Sequence, residues 1–225
     1  MNCRVSLDSR TGWQHVEVSG VEIWFKGYLI ENGRTLTGKD AARRLMALPD
    51  VIEVLSSFLK RLDGLFSVVV KRHDLVLAAV DRIASIPLLI LKRAGSFLVF
   101  DSAASLGAAD INLPVADNTG ACLALAMSGY TIGRNSIYDE ATRLIAGECL
   151  ILDDIGNAER SRYYEYRAWE TAHDLHDNPQ EALESVLHSL IDQLIKGVDG
   201  RTIIVPLSAG LDSRFIVSGL HSRVQ

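Results

Sequence analysis

The sequence has few of the residues that mark the special classes of protein. Its 225 residues include three cysteines and five prolines, and aromatic residues make up 7%. The cysteines are Cys3, Cys122 and Cys149, which lie far apart and form no C-x-x-C pair. This scarcity excludes a disulfide framework and a zinc cage and predicts a cytoplasmic protein. The low proline content excludes a collagen-like or low-complexity chain.

Long apolar runs and an excess of basic residues are also missing. No stretch approaches the 18 or more apolar residues of a membrane span, and the charged N-terminus does not resemble a secretory signal. The 23 Lys and Arg against 28 Asp and Glu give a net charge of −5, so we expect no nucleic-acid partner. Hydrophobic residues make up 48%, as in soluble globular proteins.

The first 60 residues predict two strands followed by two helices. The strands are expected to meet near Ser19-Gly20, and Asn32-Gly33 predicts a turn. Apolar residues then recur at helical spacing over 39–48 and 51–59, with Asp50 as a candidate N-cap.

A dense β region follows. The predicted strands are 65–70, 75–80, 86–91 and 96–100. Their short polar turns favour one antiparallel meander, and because each run is apolar on both faces, we expect a sheet that is covered on both sides. A helix over 119–127 and strands over 149–152 and 161–164 complete this part.

The polar residues 170–180 predict a boundary, and a strongly amphipathic helix follows. Asn178 is its expected cap, Pro179 its first residue, and Gly197 its C-terminal stop. The apolar run 202–205 is typical of a buried parallel strand.

The loop after that run is the candidate site. Small residues at 208–213 lie between a predicted strand and a helix that we expect to begin near Ser213. Free backbone N–H groups and the positive end of a helix dipole would meet there, which favours anion binding. Ser208 and Ser213 add hydroxyl donors, and Asp212 could cap the helix or help to hold magnesium. The alternative is a helix that is merely well capped.

Several segments together resemble the asparagine synthetase family of the glutamine-hydrolysing type. Residues 205–214 are similar to its pyrophosphate loop, S-G-G-x-D-S. Residues 62–70 resemble its D-G-x-F-A strand, 81–88 its R-D-x-x-G-x-x-P-L segment, and 146–148 with 162–164 its entry to the linker. The order and spacing of these pieces carry the resemblance, which covers about 24–223.

The resemblance implies an α+β fold in two parts. Residues 1–168 would form a glutaminase-like αββα sandwich of the N-terminal-nucleophile (Ntn) type, 169–180 a linker, and 181–225 the start of a Rossmann-like synthetase domain. That domain would adenylate a carboxylate with ATP and Mg²⁺ before ammonia or an amine attacks. The nucleotide-binding residues implied are Leu207, Ser208, Ala209, Gly210, Leu211, Asp212 and Ser213, and Asp212 is also the magnesium candidate.

Departures from the family pattern predict an inactive glutaminase site. The family nucleophile is a cysteine exposed by removal of Met1, whereas Asn2 stands there and Cys3 comes one residue late. Lys26 replaces the asparagine of the oxyanion hole. Asp40 matches an aspartate that holds the glutamine amine, although a surface carboxylate is the simpler interpretation. Ala209 replaces a glycine, which would cost about 1 kcal/mol if the backbone were left-handed there.

Two functions remain open. One is an amide-forming ligase, of which this chain would be the N-terminal portion because 12 residues follow Ser213. The other is a non-catalytic scaffold or dimer surface, with a homodimer as the expected partner in either case. His173 and His176 predict a metal site only weakly, and the aromatic residues 163–169 favour packing between domains.

Overall fold

The computed structural model describes residues 3–31, 33–108, 119–138, 140–153, 155–167, 178–198, 200 and 202–223. The chain divides into two units. The first consists of Met1–Glu31 with Leu36–Tyr166, and the second of Asn32–Thr35 with Arg167–Gln225. The predicted boundaries of the glutaminase-like domain, linker and synthetase domain stay a prediction.

Eleven strands and six α-helices are formed by the described residues. The strands are β1 Cys3–Ser6, β2 Gln14–Val18, β3 Val21–Glu31, β4 Arg34–Thr37, β5 Asp63–Lys71, β6 Leu75–Val80, β7 Leu89–Arg93, β8 Ser96–Phe100, β9 Ala141–Arg143, β10 Glu148–Asp153 and β11 Ala158–Arg162. The helices are α1 Gly38–Arg44, α2 Ile52–Leu59, α3 Ala103–Ala108, α4 Thr119–Ser128, α5 Pro179–Val198 and α6 Leu211–His221.

The strands form two sheets. The larger has the order β11-β10-β6-β5-β3-β2, with β4 beside β3, and the smaller has the order β1-β8-β7-β9. Neighbouring strands for which a register is described are antiparallel, except that β1 runs parallel to β8.

Three buried clusters show that the first unit is layered. Alternate residues of β5 separate the clusters: Phe66 and Val68 pack with α1 and α2 on one face, whereas Val69 packs on the other face against the smaller sheet. The outer face of the smaller sheet buries Phe100 together with Leu106 of α3. The order helix, sheet, sheet, helix confirms the predicted αββα sandwich, and it explains why the strands are apolar on both faces.

The predicted elements are confirmed in most places. The first two strands form a hairpin whose turn residues, Ser19 and Gly20, both have positive φ (52° and 79°), as a two-residue type I′ turn requires. The helices near 39 and 52, the helix that begins at Thr119 and the strand through Cys149 also form where the pattern predicts them.

The single four-stranded meander was wrong. β5 and β6 form a hairpin in the larger sheet, whereas β7 and β8 form a hairpin in the smaller one. Residues 81–88 carry the chain from one sheet to the other, so β7 begins at Leu89 rather than at 86. A run that is apolar on both faces suits any covered sheet, and the pattern therefore does not say which sheet each hairpin joins.

Two local predictions also need correction. Val51, not Asp50, is the N-cap of α2, and no side chain caps that helix end. The run 202–205 forms no strand, because Thr202–Leu207 pair with no strand among the described residues. A strand exists only where a neighbour accepts and donates ladder hydrogen bonds, and apolar composition does not provide one.

Candidate functional site

The loop at 208–213 connects an unpaired segment to α6 in the second unit. The helix begins at Leu211, and Gly210 is its N-cap with an extended backbone (φ −73°, ψ 162°) and no side-chain cap. Asp212 lies in the first turn rather than at the cap. The interpretation of Asp212 or Ser213 as a simple capping residue is therefore wrong.

The two serines of the loop bind each other. Their Oγ atoms are 3.0 Å apart, and the Ser208 N–H donates to Ser213 Oγ at 3.2 Å. The Gly210 N–H donates to Ser208 Oγ at 3.2 Å. The hydroxyl groups thus fix the shape of the loop and use two of its backbone donors.

The remaining donors of the loop lie at the start of α6. Leu211, Asp212 and Ser213 occupy the first turn of the helix, where an α-helix offers their N–H groups no carbonyl acceptor. Leu211 and Asp212 are exposed. The positive end of the helix dipole and free N–H groups therefore face solvent at one point, and this arrangement favours an anion.

The small residues of the loop have different roles. Ala209 is absent from the described residues with positive φ, so the strain that a left-handed alanine would carry does not arise. At Gly210 an added Cβ would lie 3.3 Å from Ser208 Oγ, closer than most such contacts. Gly210 is therefore the residue at which a side chain would disturb the serine pair.

The second unit also contains an apolar groove of about 520 Å³. It is lined by residues of α5, of the segment that follows it and of α6: Ile195, Val198, Gly200, Thr202, Ile203, Val205, Val217, Leu220 and His221. No residue of 208–213 lines the groove, so the groove does not belong to that loop.

The residues expected at a glutaminase site lie on three different elements, β1, β3 and α1. Cys3 is 4% exposed, and burial raises the pKa of its thiol to about 12 while Lys71 opposes part of that shift. A thiol with that pKa stays protonated at neutral pH and is a poor nucleophile. Lys26 lies on β3 opposite Ser67, and Asp40 is an exposed residue of α1 paired with Arg43 at 3.5 Å. Asn2 lies outside the described residues.

Metal ligands are not assembled in the part of the chain that the structure describes. No group of three or more His, Cys, Asp or Glu there could hold a metal ion. His173 and His176, the weak metal candidates of the sequence, lie outside the described residues. Among the described helices, none is long and apolar enough to cross a membrane.

Two buried carboxylates were not predicted as important. Asp81, 1% exposed, accepts hydrogen bonds from the N–H groups of Phe66, Ile83 and Ser85. Glu148, 0% exposed, lies between the guanidinium groups of two arginines. Asp81 begins the segment 81–88 and Glu148 ends the segment 146–148, both of which resemble family motifs, but the partners Arg134 and Arg160 lie outside those segments, so the motifs do not predict the pairing.

Comparisons with known proteins give likenesses to solved structures only. No protein-family model matches the chain, and no curated protein is significantly similar to it. One similar structure is a glutamine phosphoribosylpyrophosphate amidotransferase of B. subtilis complexed with ADP and GMP (13% identity, TM-score 0.39), where the match covers 68% of this chain and 31% of that one. Another is an allosteric regulatory enzyme of purine biosynthesis (10%, TM-score 0.38), with 92% and 44% covered.

The chain thus spans less than half the length of both proteins. The layered arrangement of the two sheets and their helices defines the first unit as an αββα sandwich. Membership of the asparagine synthetase family stays a prediction.

Proposed function

We propose that this chain belongs to an ATP-dependent, amide-bond-forming ligase of the asparagine synthetase type, with an inactive glutaminase-like unit. The observation that carries the proposal is the start of α6. Three first-turn N–H groups lie beside a glycine N-cap, and no side chain caps this helix end. A phosphate group is the kind of ligand that satisfies such donors.

The electrostatics of the loop support an anionic ligand such as a phosphate. A helix end carries roughly half a positive charge, and the free N–H groups point along the same direction. Ser208 and Ser213 are already bonded to each other. In the proposal they hold the loop in shape, and backbone donors make the contacts with the pyrophosphate.

Asp212 needs a cation if a phosphate binds beside it, because two negative groups repel each other. Its carboxylate is exposed in the first turn of α6, where it can reach a metal that the phosphates also bind. Since the described residues offer no protein cage for a metal, Mg²⁺ would be held by ATP oxygens and Asp212. Bound Mg²⁺ would neutralise phosphate charge during adenylation.

The state of Cys3 bears on the source of the amine. Its buried, protonated thiol argues against release of ammonia from glutamine in the first unit. The amine would then be free ammonia, an amine substrate or ammonia supplied by another protein.

Isothermal titration with Mg-ATP tests the proposal. Asp212→Ala is expected to weaken binding about 5- to 150-fold, the effect of losing a charged hydrogen-bonding group. Glu184→Ala is the matched control, because Glu184 is an exposed carboxylate of α5 in the same unit. Equal affinities for the parent and Asp212→Ala would show that the loop serves only as a helix start.

A non-catalytic scaffold is the second candidate. The observation that favours it is the serine pair, because two hydroxyls that satisfy each other leave the loop stable without a ligand. An ATP–pyrophosphate exchange screen against carboxylates, run on the complete gene product, separates the two candidates. Exchange with one carboxylate supports the ligase, and its absence together with no Mg-ATP binding supports the scaffold.

A further inference from the structure

A cluster of two arginines and one glutamate lies at an edge of the sandwich, in the first unit. Glu148 begins β10, Arg160 lies on the neighbouring strand β11, and Arg134 precedes β9 of the smaller sheet. Arg134 donates to Glu148 Oε1 from Nε at 3.0 Å and from Nη2 at 2.7 Å. The Arg160 Nη1 atom lies 3.7 Å from the same oxygen, and Arg160 Nη2 donates to Thr142 Oγ1 at 3.0 Å.

The cluster has one positive charge more than its carboxylate can balance. Glu148 carries the only negative side chain that the structure pairs with Arg134 or Arg160 within its described residues. The other carboxylate oxygen of Glu148, Oε2, accepts a hydrogen bond from the Ile145 N–H at 2.9 Å. The nearby Arg162 has its own partner, Glu165, at 2.8 Å, so that pair does not change the balance.

Two guanidinium nitrogens of this cluster also lack a hydrogen-bond acceptor among the described residues. Arg160 Nη1 is buried and, at 3.7 Å from Glu148 Oε1, makes an ion pair but no hydrogen bond. Arg134 uses Nε and Nη2 on Glu148, and Nη1 makes no hydrogen bond with any described residue. Buried donors without acceptors are uncommon in proteins, and each has a cost in free energy.

The charges around Arg160 also favour the binding of an anion. Burial lowers the pKa of its guanidinium, the Glu148 carboxylate opposes that change, and the neighbouring Arg134 adds to it. The Arg134 side chain is 47% exposed, so an anion from solvent can approach the pair from that side. A planar guanidinium with free N–H groups binds the two oxygens of a carboxylate or phosphate in parallel.

We propose that the paired guanidinium groups of Arg134 and Arg160, held by Glu148, bind an oxyanion of a small molecule, either a carboxylate or a phosphate. The anion bonds the donors that Glu148 and Thr142 leave free and balances the extra positive charge. This site lies in a different unit from the 208–213 loop and does not depend on the function proposed for that loop.

Thermal unfolding of the chain in increasing inorganic phosphate tests the proposal, with sodium acetate and sodium chloride at matched ionic strength. A saturable rise of roughly 2–4 °C is expected once an oxyanion reaches about five times its Kd. A rise in phosphate alone assigns the ligand as a phosphoryl compound, and a rise in acetate alone assigns a carboxylate. No saturable rise in either overturns the proposal.

Two arginine variants test whether the anion binds at Arg160. Arg160→Met should lose the saturable rise, whereas Arg43→Met, which removes an exposed arginine of α1, should retain it. Phosphate also stabilises proteins non-specifically, and this contribution, which all variants share, is subtracted from each measured rise in unfolding temperature. An unchanged rise in Arg160→Met overturns the proposal.

Two further variants complete the test. Arg160→Lys keeps the charge but not the planar fork, and we expect weaker, still detectable binding; it serves if Arg160→Met does not fold. Ser213→Ala alters the 208–213 loop and should leave the rise intact. If it removes the rise instead, phosphate binds at the loop, which overturns the arginine site and supports the function proposed for the loop.

Discussion

Asp81 shows how a single buried carboxylate can determine a chain crossing. Its two oxygens accept from the Phe66 N–H at 3.0 Å and the Ile83 N–H at 2.8 Å, and both lie within 3.3 Å of the Ser85 N–H. The Ser85 hydroxyl donates to the same carboxylate. These bonds hold the chain at the point where it leaves the larger sheet for the smaller one.

We therefore expect Asp81→Ala to destabilise the first unit by about 2–4 kcal/mol, because one buried donor and several part-buried donors lose their acceptor together. Asp74→Ala is the control, since Asp74 is exposed in the β5–β6 turn, and its effect should stay within about 0.5 kcal/mol. Urea unfolding measures both. An Asp81→Ala variant as stable as the control would show that the carboxylate does not hold the crossing.

We expect the buried thiol of Cys3 to be unreactive. Its thiol is buried, and burial raises its pKa to about 12, so below that pH the protonated form dominates. Incubation with glutamine should release no more glutamate from the parent than from Cys3→Ala. In the folded chain, a thiol reagent at mildly alkaline pH should label the half-buried Cys122 before Cys3. Glutamate release that depends on Cys3 would contradict the inactive-site interpretation.

At the scale of an element, the β7–β8 turn carries a strain that the sequence pattern did not predict. Ala94 and Gly95 form a two-residue turn in which both have positive φ, 47° and 75°. That conformation suits the twist of a hairpin but disfavours a residue with a Cβ. Ala94 is exposed, so its methyl group contributes little packing in return.

Ala94→Gly should therefore stabilise the chain by roughly 0.5–1 kcal/mol, since the strain of a left-handed alanine is removed. The matched substitution Ala158→Gly, at the exposed first residue of strand β11, should destabilise it slightly, because glycine loses more backbone freedom on folding than alanine does. Midpoints of denaturant unfolding compare the two. The same sign for both would indicate that φ at Ala94 is not the cause.

The 208–213 loop gives a contrasting prediction for an alanine. Ala209 does not have positive φ, so Ala209→Gly relieves no strain. Mg-ATP affinity should stay within about twofold of the parent or fall slightly, because glycine makes the unliganded loop more flexible. Titration calorimetry measures the change. A clear gain in affinity would show that the bound loop takes a left-handed conformation there.

At the scale of the whole molecule, hydrogen bonding differs sharply along the chain. Residues of β5 pair on both sides with β3 and β6. Thr202–Leu207 pair with no strand among the described residues, and Ile204 is 85% exposed. Backbone amides without a partner exchange with solvent freely.

Hydrogen exchange should therefore be fast across 202–207 and slow across 63–71. The helices α5 and α6 should show intermediate protection, since their amides bond within each helix but most of their side chains are exposed. Mass spectrometry of peptides resolves these segments. Strong protection at 202–207 in solution would mean that this run does have a strand partner.

The local turns, helices and strands could be predicted from the sequence. The Ser19-Gly20 hairpin, the α1 and α2 helices, the α5 start at Pro179 and the doubly covered strands follow from turn chemistry and periodicity alone. The positions of the loop serines and of Asp212 at a helix start also follow. The exact N-cap did not, because Gly210 and Val51 cap without a side-chain bond.

The pairing between separate segments of the chain was decided only by the tertiary structure. The two hairpins β5–β6 and β7–β8 join different sheets, with Asp81 bonded at the crossing between them, and the Arg134–Glu148–Arg160 cluster joins residues from three separate segments. Whether 202–205 becomes a strand depends on a neighbour, and whether Cys3 ionises depends on its burial. Composition and periodicity describe each segment by itself, whereas these properties belong to pairs of segments that meet only in the folded chain.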